Sequence, residues 1–173
     1  TVTVAGNLTA TTDLNNGLIN LGSLAVTGTV GVTTQGNGAA TLINANGLNF
    51  AASNVGGALD ATATLGDISD TGALTVTGTS VFTTVADAKN IILDEAHAFT
   101  GGVTYKSKAD SSGTFTNVTF RNSGDVKLHS DANAGGDFFI SAASAAGTVG
   151  GVLTVVSTTG DITQGQLLTV GGV

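Results

Sequence analysis

The chain repeats itself, and that constrains its fold more than any single motif. Residues Gly66–Gly78 (GDISDTGALTVTG) return 94 positions later as Gly160–Gly172 (GDITQGQLLTVGG). In a wider frame, Asn54–Gly78 aligns without a gap to Thr148–Gly172, with 12 identities in 25 positions. A more divergent copy lies 50 positions upstream, where Gly22–Thr34 matches Gly72–Thr84 at 8 of 13 positions. Phe50 and Phe99 close two similar segments at a spacing of 49. These spacings suggest a unit of about 47–50 residues, in the range that marks repeat architectures. They divide the chain into units near 1–50, 51–100 and 101–173 within a single segment.

Each unit is written in short alternating runs. In LTVTG the period of two sends Leu74 and Val76 to one face and Thr75 and Thr77 to the other. Leu168 and Val170 stand in the same relation to Thr169. Leu74, Val76, Leu168 and Val170 are therefore expected inside, and Thr75 and Thr169 outside. Strands are expected at Thr1–Val4, Leu8–Thr12, Leu18–Leu21, Leu24–Val26 and onward, with Gly or Asn at the corners. Asp94–Ala98 (DEAHA) is the one place where a helical turn fits.

Strands of three to six residues at this spacing suit a sandwich or barrel as well as a solenoid. The repeats decide for the solenoid, because stacked coils bury the same apolar positions on their neighbours. The expected fold is an all-β, right-handed parallel β-helix, with two coils per repeat and seven or so coils in all. Its 26 Gly suit corners, and its lack of Pro suits a backbone whose N–H groups are nearly all ladder donors.

Composition narrows the function classes. With 12 acidic and 5 basic residues the net charge is −7, which argues against nucleic acid and anionic membrane surfaces. The basic residues Lys89, Lys106, Lys108, Arg121 and Lys127 read as a solvated face. Without Cys there are no disulfides or thiolate metal sites. No apolar run is long enough for a membrane helix. Thr1 opens directly into a strand pattern, so an exported protein of this sequence is expected to be a mature or excised portion of a longer chain.

The text of the repeats also resembles a family. GDI(S/T) followed by G-x-L-T-V-x-G, together with NIILD…FTGGVT (Asn90–Thr104) and NVTF (Asn117–Phe120), looks like the degenerate repeats of filamentous-haemagglutinin-like surface proteins. The resemblance implies a right-handed β-helix shaft on a bacterial surface, secreted by a two-partner or autotransporter route and serving adhesion or filament building. It specifies structural repeats and no active site.

His97 and His129 lack ligand spacing and read as exposed loop residues. Asp125, Asp131 and Asp137, near Lys127 and Arg121, could suggest a polysaccharide-acting site, but intervals of six do not place them on one face. Asn7-Leu8-Thr9 and Asn117-Val118-Thr119 match the glycosylation acceptor pattern. Thr9/Thr11, Thr62/Thr64 and Thr75/Thr77 are similar to ice-binding Thr rows, yet are not repeated coil after coil. No catalytic, metal or cofactor residues emerge, so the expectation is a non-enzymatic protein without a cofactor.

TVTV at one end and LLTVGGV at the other are both written as interior coils. Val2, Val4, Leu168 and Val170 are accordingly the candidate residues for end-to-end stacking into a homopolymer. The expected function is a structural or adhesive segment of an extracellular bacterial fibre, whose partners are further copies, other surface components, or a glycan or cell surface. Polysaccharide-binding or polysaccharide-degrading activity and an ice-binding Thr face are the alternatives.

Overall fold

The computed structural model describes residues 1–108, 113–128, 137–141 and 148–171. It is an all-β solenoid of parallel strands, with no helix among the described residues. Thr, Val and Ala populate its short strands because they suit a pleated surface with one face buried.

The strands stack in rows. Row one runs β1 (Val2–Val4), β3 (Ile19–Val26), β5 (Ala40–Asn44), β8 (Leu59–Ala63), β11 (Ser80–Thr84), β14 (Val103–Ser107) and β17 (Asp137–Ser141). Row two runs β2 (Leu8–Asn15), β4 (Thr29–Gln35), β6 (Leu48–Phe50), β9 (Ile68–Asp70), β12 (Lys89–Leu93), β15 (Phe115–Asn122) and β19 (Leu153–Ser157). Row three holds β7 (Ser53–Val55), β10 (Leu74–Val76) and β13 (Ala98–Phe99). It joins row two at β4, which pairs with β6 through Val30 and with β7 through Thr33. Beyond these, β16 (Val126–Leu128) pairs with β20 (Ile162–Gln164), and β18 (Thr148–Val149) pairs with both β15 and β21 (Thr169–Val170). Along rows one and two, five turns have a rung on either side.

The coil is shorter than the textual repeat requires. Through the first six rungs of row one, a residue stacks on a partner 19 to 23 positions later, as Ala40 does on Leu59 and Ser80 on Val103. Two coils there take fewer residues than the 47–50 of the repeat, so the copies do not stack. Leu24 lies in row one between Val2 and Asn44, whereas its copy Leu74 lies in row three beside Ser53. Leu59 lies in row one, and its copy Leu153 stacks on Val118 in row two. All three rows need the same apolar-in, polar-out alternation and a corner, so one text serves on any face. Later steps lengthen, with Ile91 on Val118 and Val118 on Leu153 at 27 and 35 residues.

Burial follows the alternation. In β8, Leu59, Ala61 and Ala63 are buried and Asp60 is exposed; in β10, Leu74 and Val76 are buried and Thr75 is exposed, as expected. Leu168 and Val170 depart from expectation: Leu168 is half-buried, and Val170 is 44% exposed. The reason is local, because among the described residues β21 has a ladder neighbour, β18, on one side only. Val2 is likewise 54% exposed on β1, which among the described residues pairs only with β3, while Val4 packs partly against the core.

Two further details differ from the sequence reading. The two strands expected around Gly22 are one strand, β3, whose register shifts between Leu21 and Leu24 as in a β-bulge. The DEAHA segment forms no helix; its tight turn is closed by the His97 N–H donating to the Glu95 carbonyl (2.9 Å). Glycine is required where coils approach most closely. A Cβ on Gly56 would run into the Gly36 carbonyl oxygen one coil below, and Gly36 itself has φ +60°.

Aromatic rings from three rows meet in the core. Phe82 (β11) packs edge-on against Phe50 (β6) and Phe99 (β13), both at 6.0 Å, and against Tyr105 (β14) at 5.6 Å. Phe120 (β15) stacks on Phe99 at 5.7 Å and meets Tyr105 at 6.0 Å. The fully buried Tyr105 hydroxyl donates to the Thr119 carbonyl (3.3 Å). Burial pushes its phenol well above the usual range.

Candidate functional site

Where the chain turns between rows, backbone N–H groups leave the strand ladder and need other acceptors. Side chains meet that need in one outer column and at a set of separate inner positions.

The outer column stands at the entry to row two. The Asp67 carboxylate accepts both the backbone N–H (2.9 Å) and the side-chain amide (3.0 Å) of Asn90. Asn90 Oδ1 accepts the backbone N–H (3.0 Å) and side-chain amide (3.1 Å) of Asn117, and Asn117 Oδ1 accepts the Val152 N–H (2.9 Å). The bonds thus run unbroken across four successive turns. Asn and Asp suit this role because their short polar arms reach a neighbouring backbone amide.

The inner positions are buried and lie on different rows. Asn44 Oδ1 accepts the Val26 N–H (2.9 Å), and its amide donates to the carbonyls of Val26 (2.9 Å) and Gly47 (2.6 Å). Asn122 repeats the device on Phe99, accepting its N–H at 2.9 Å. Ser53 accepts the Val32 N–H (3.1 Å). His97 belongs to the same set: its Nδ1 accepts the Leu74 N–H at 2.9 Å.

His97 is therefore not an exposed loop residue, as its sequence context suggests; it is completely buried. The alternation His97–Ala98–Phe99 turns His97 and Phe99 inward together, with ring centroids 5.5 Å apart. With Nδ1 accepting, the proton of the neutral ring sits on Nε2, 3.3 Å from Asp70 Oδ2 but not aimed at it. The buried Asp70 carboxylate accepts the N–H groups of Asp94 and Glu95, each at 3.2 Å. Burial pushes Asp70 up to about 6, against the pull of those two amides. Burial likewise pushes His97 down to about 4, with Asp94 raising and Arg121 lowering it to a lesser degree. The imidazole's one lone pair is committed to a backbone amide, so the geometry gives His97 a coil-holding role and leaves it no base function.

These two shifts act oppositely on stability. Between about pH 4 and 6.5 the unfolded chain binds more protons at His97, so that contribution is lost as pH falls. Between 3.8 and about 6 the folded chain binds more protons at Asp70, so that contribution is lost as pH rises. In the native protein the two slopes largely cancel between about pH 4 and 6. His97→Asn, whose amide can serve Leu74 as Asn122 serves Phe99, should make urea stability decline with rising pH across this window. Asp70→Asn should make it climb. Two variants with the flat profile of the parent would show that neither group is held in its neutral form.

The other sequence candidates do not converge. Asp125 is an exposed corner residue whose Oδ1 accepts the Asp161 N–H at 2.9 Å. Asp137 opens β17 with its backbone in register with Lys127. Asp131 and His129 lie outside the described residues. Asn117 is half-buried in the outer column, while Asn7 is exposed and its Oδ1 accepts the Thr29 N–H (2.9 Å). The three Thr pairs start on three different rows, at Thr9, Thr62 and Thr75. Val2 and Val4 sit in row one at one end, whereas β21, which carries Val170, continues the β15–β18 stack at the other.

Among the described residues, no group of three or more His, Cys, Asp or Glu is placed to hold a metal ion. No helix among them is long and apolar enough to cross a membrane. The surface carries a groove of about 340 Å³ where three turns meet, lined by Thr27, Asn46, Asn49, Asp67 and Ser69 among others. Neither the outer column nor the inner positions are legible in the sequence. Asn44-Ala45-Asn46-Gly47 and Asn122-Ser123-Gly124-Asp125 are similar corner sequences, but only stacking reveals that the first Asn of each turns inward.

One protein family matches the chain, over residues 37–106, and is described as repeats of unknown function (DUF5649). The match covers the turns from β5 to β14. No curated protein and no solved structure matches the chain. Fold and family match together make this chain a repeat protein built as a β-solenoid.

Proposed function

We propose that this solenoid is a shaft segment of an extracellular bacterial fibre or surface adhesin, of the filamentous-haemagglutinin-like kind that its repeats resemble. The observation that carries the reading is the continuity of hydrogen bonding along the shaft. Strand ladders run from turn to turn, and the Asp67–Asn90–Asn117 column carries the same direction through the corners. A chain so bonded spends its polar groups on its own length and spaces its faces regularly, which suits a stalk that projects or a surface that adheres. The segment acts without catalysis or a cofactor, and it engages further coils, neighbouring surface components or a glycan rather than nucleic acid or the bilayer.

End-to-end stacking belongs to the same reading. The apolar residues Val2 on β1 and Val170 on β21 are exposed. An open strand edge is a template for another strand. Because β1 and β21 lie in different stacks, a second copy docking Leu168 and Val170 onto Val2 and Val4 would be rotated about the shaft.

Immunogold electron microscopy with antibodies against this segment should label filaments or stalks outside the intact producing cell. Label confined to the cell interior would refute the surface assignment. Sedimentation of the purified 173-residue chain at micromolar concentration should show growing oligomers. A monomer at every concentration would restrict stacking to coils within one polypeptide.

A further inference from the structure

Three Asn-Gly dipeptides, Asn16-Gly17, Asn37-Gly38 and Asn46-Gly47, stand at corners of the first three turns. Such a pair is the most labile setting for an asparagine, because glycine offers no side chain to hinder attack by its own backbone nitrogen. All three asparagines are exposed, so solvent access does not tell them apart. Hydrogen bonding does.

The Gly17 N–H donates to the Leu14 carbonyl at 2.8 Å. Asn16 is further pinned: its own N–H donates to the Gln35 carbonyl (3.0 Å), and its Oδ1 accepts the Asn37 N–H (2.8 Å). The Gly38 N–H donates to the Gln35 carbonyl at 3.0 Å. Both glycine nitrogens are also on buried residues. At the third site Gly47 is half-buried, and no hydrogen bond holds its N–H among the described residues. The bonds around it fall on other atoms, with the Gly47 carbonyl accepting from Asn44 and the Leu48 N–H donating to the Asp67 carbonyl. The Asn46 side chain opens onto the surface groove that Asn49, Asp67 and Ser69 also line.

We infer that Asn46 is the site at which this fold converts an asparagine to aspartate and isoaspartate, and that the corners at Asn16 and Asn37 are built to resist the same change. The Gly47 nitrogen gives its proton to solvent and attacks Cγ of Asn46. The bond from Cγ to the side-chain nitrogen breaks, and ammonia leaves a succinimide ring. Water opens that ring at either carbonyl, giving isoaspartate or aspartate. One water is consumed, one ammonia is released, and nothing is oxidised or reduced. At the other two corners the glycine N–H must first give up its hydrogen bond, which slows the step by several-fold to roughly tenfold. Each conversion adds one negative charge to a chain already at −7, and at Asn46 it adds that charge beside Asp67 in the groove. An ageing fibre would thus acquire a second carboxylate at one defined place on its surface.

The test is incubation of the folded chain at mildly alkaline pH, followed by isoelectric focusing and peptide mapping for isoaspartate. A single, more acidic species mapping to Asn46 is expected, and Asn46→Gln should abolish it. The same incubation in concentrated urea should convert all three sites at comparable rates, because the protection is structural. Conversion at Asn16 or Asn37 in the folded chain that equals or exceeds conversion at Asn46 would overturn the inference. So would a folded chain inert at Asn46 while the unfolded chain reacts at all three.

Discussion

Val76→Asp should abolish stable folding, or lower the melting temperature drastically, while Thr75→Asp one residue away should leave it nearly unchanged. Val76 is fully buried in β10, stacked between Val55 and Phe99. Burying a charge without a partner costs several kcal/mol even after the group protonates. That is a large part of the ~5–15 kcal/mol typical of a whole domain. Thr75 is exposed on the same strand, where substitutions usually stay within about 0.5 kcal/mol. Circular-dichroism melts of the two variants provide the comparison. Equal losses would mean that the alternation does not set inside and outside.

Phe82→Ala should cost roughly 3–5 kcal/mol, the usual range for removing a buried ring. Phe82 is completely buried and is the ring that touches Phe50, Phe99 and Tyr105, drawn from β6, β13 and β14. Its loss therefore opens a void shared by all three rows, and each edge-on pair contributes about 0.5–1.5 kcal/mol beyond buried area. Phe82→Leu should recover part of the loss, since apolar volume returns without the ring geometry. Urea unfolding of both variants measures the difference. A Phe82→Ala loss no greater than that of an exposed substitution would show that the aromatic cluster adds nothing to the stability of the central turns.

The outer column and the buried inner side chains at the corners explain why the coil can be regular with such uneven text. A strand ladder satisfies backbone groups only along the straight runs, and every corner interrupts it. Asn44, Ser53, His97 and Asn122 close these gaps from inside, and Asp67, Asn90 and Asn117 from outside. His97 stands out because a titratable group fills a place that Asn fills elsewhere. Its cost at low pH is offset by Asp70, whose burial acts with the opposite sign.

Sequence alone determined the architecture and the inside–outside register of the central strands. Leu74, Thr75 and Val76 carry that information within three residues, because period-two geometry leaves no other way to bury Leu and Val together. Repetition then excluded an ordinary sandwich. What the sequence could not carry was the pitch of the coil, because pitch depends on how many residues each corner absorbs. Gly and Asn mark a corner without fixing its length. That is why the copies 50 and 94 residues apart land on different rows instead of stacking. The inward turn of His97 was hidden for the same reason. DEAHA reads as a helical turn with an exposed His97 until Phe99 is seen stacked on Val76, which sets His97 one coil above Leu74 with its nitrogen against a backbone amide. Alternation is a property of neighbours along the chain and survives in the text; contact between coils is a property of neighbours across it, and only the tertiary structure decides it.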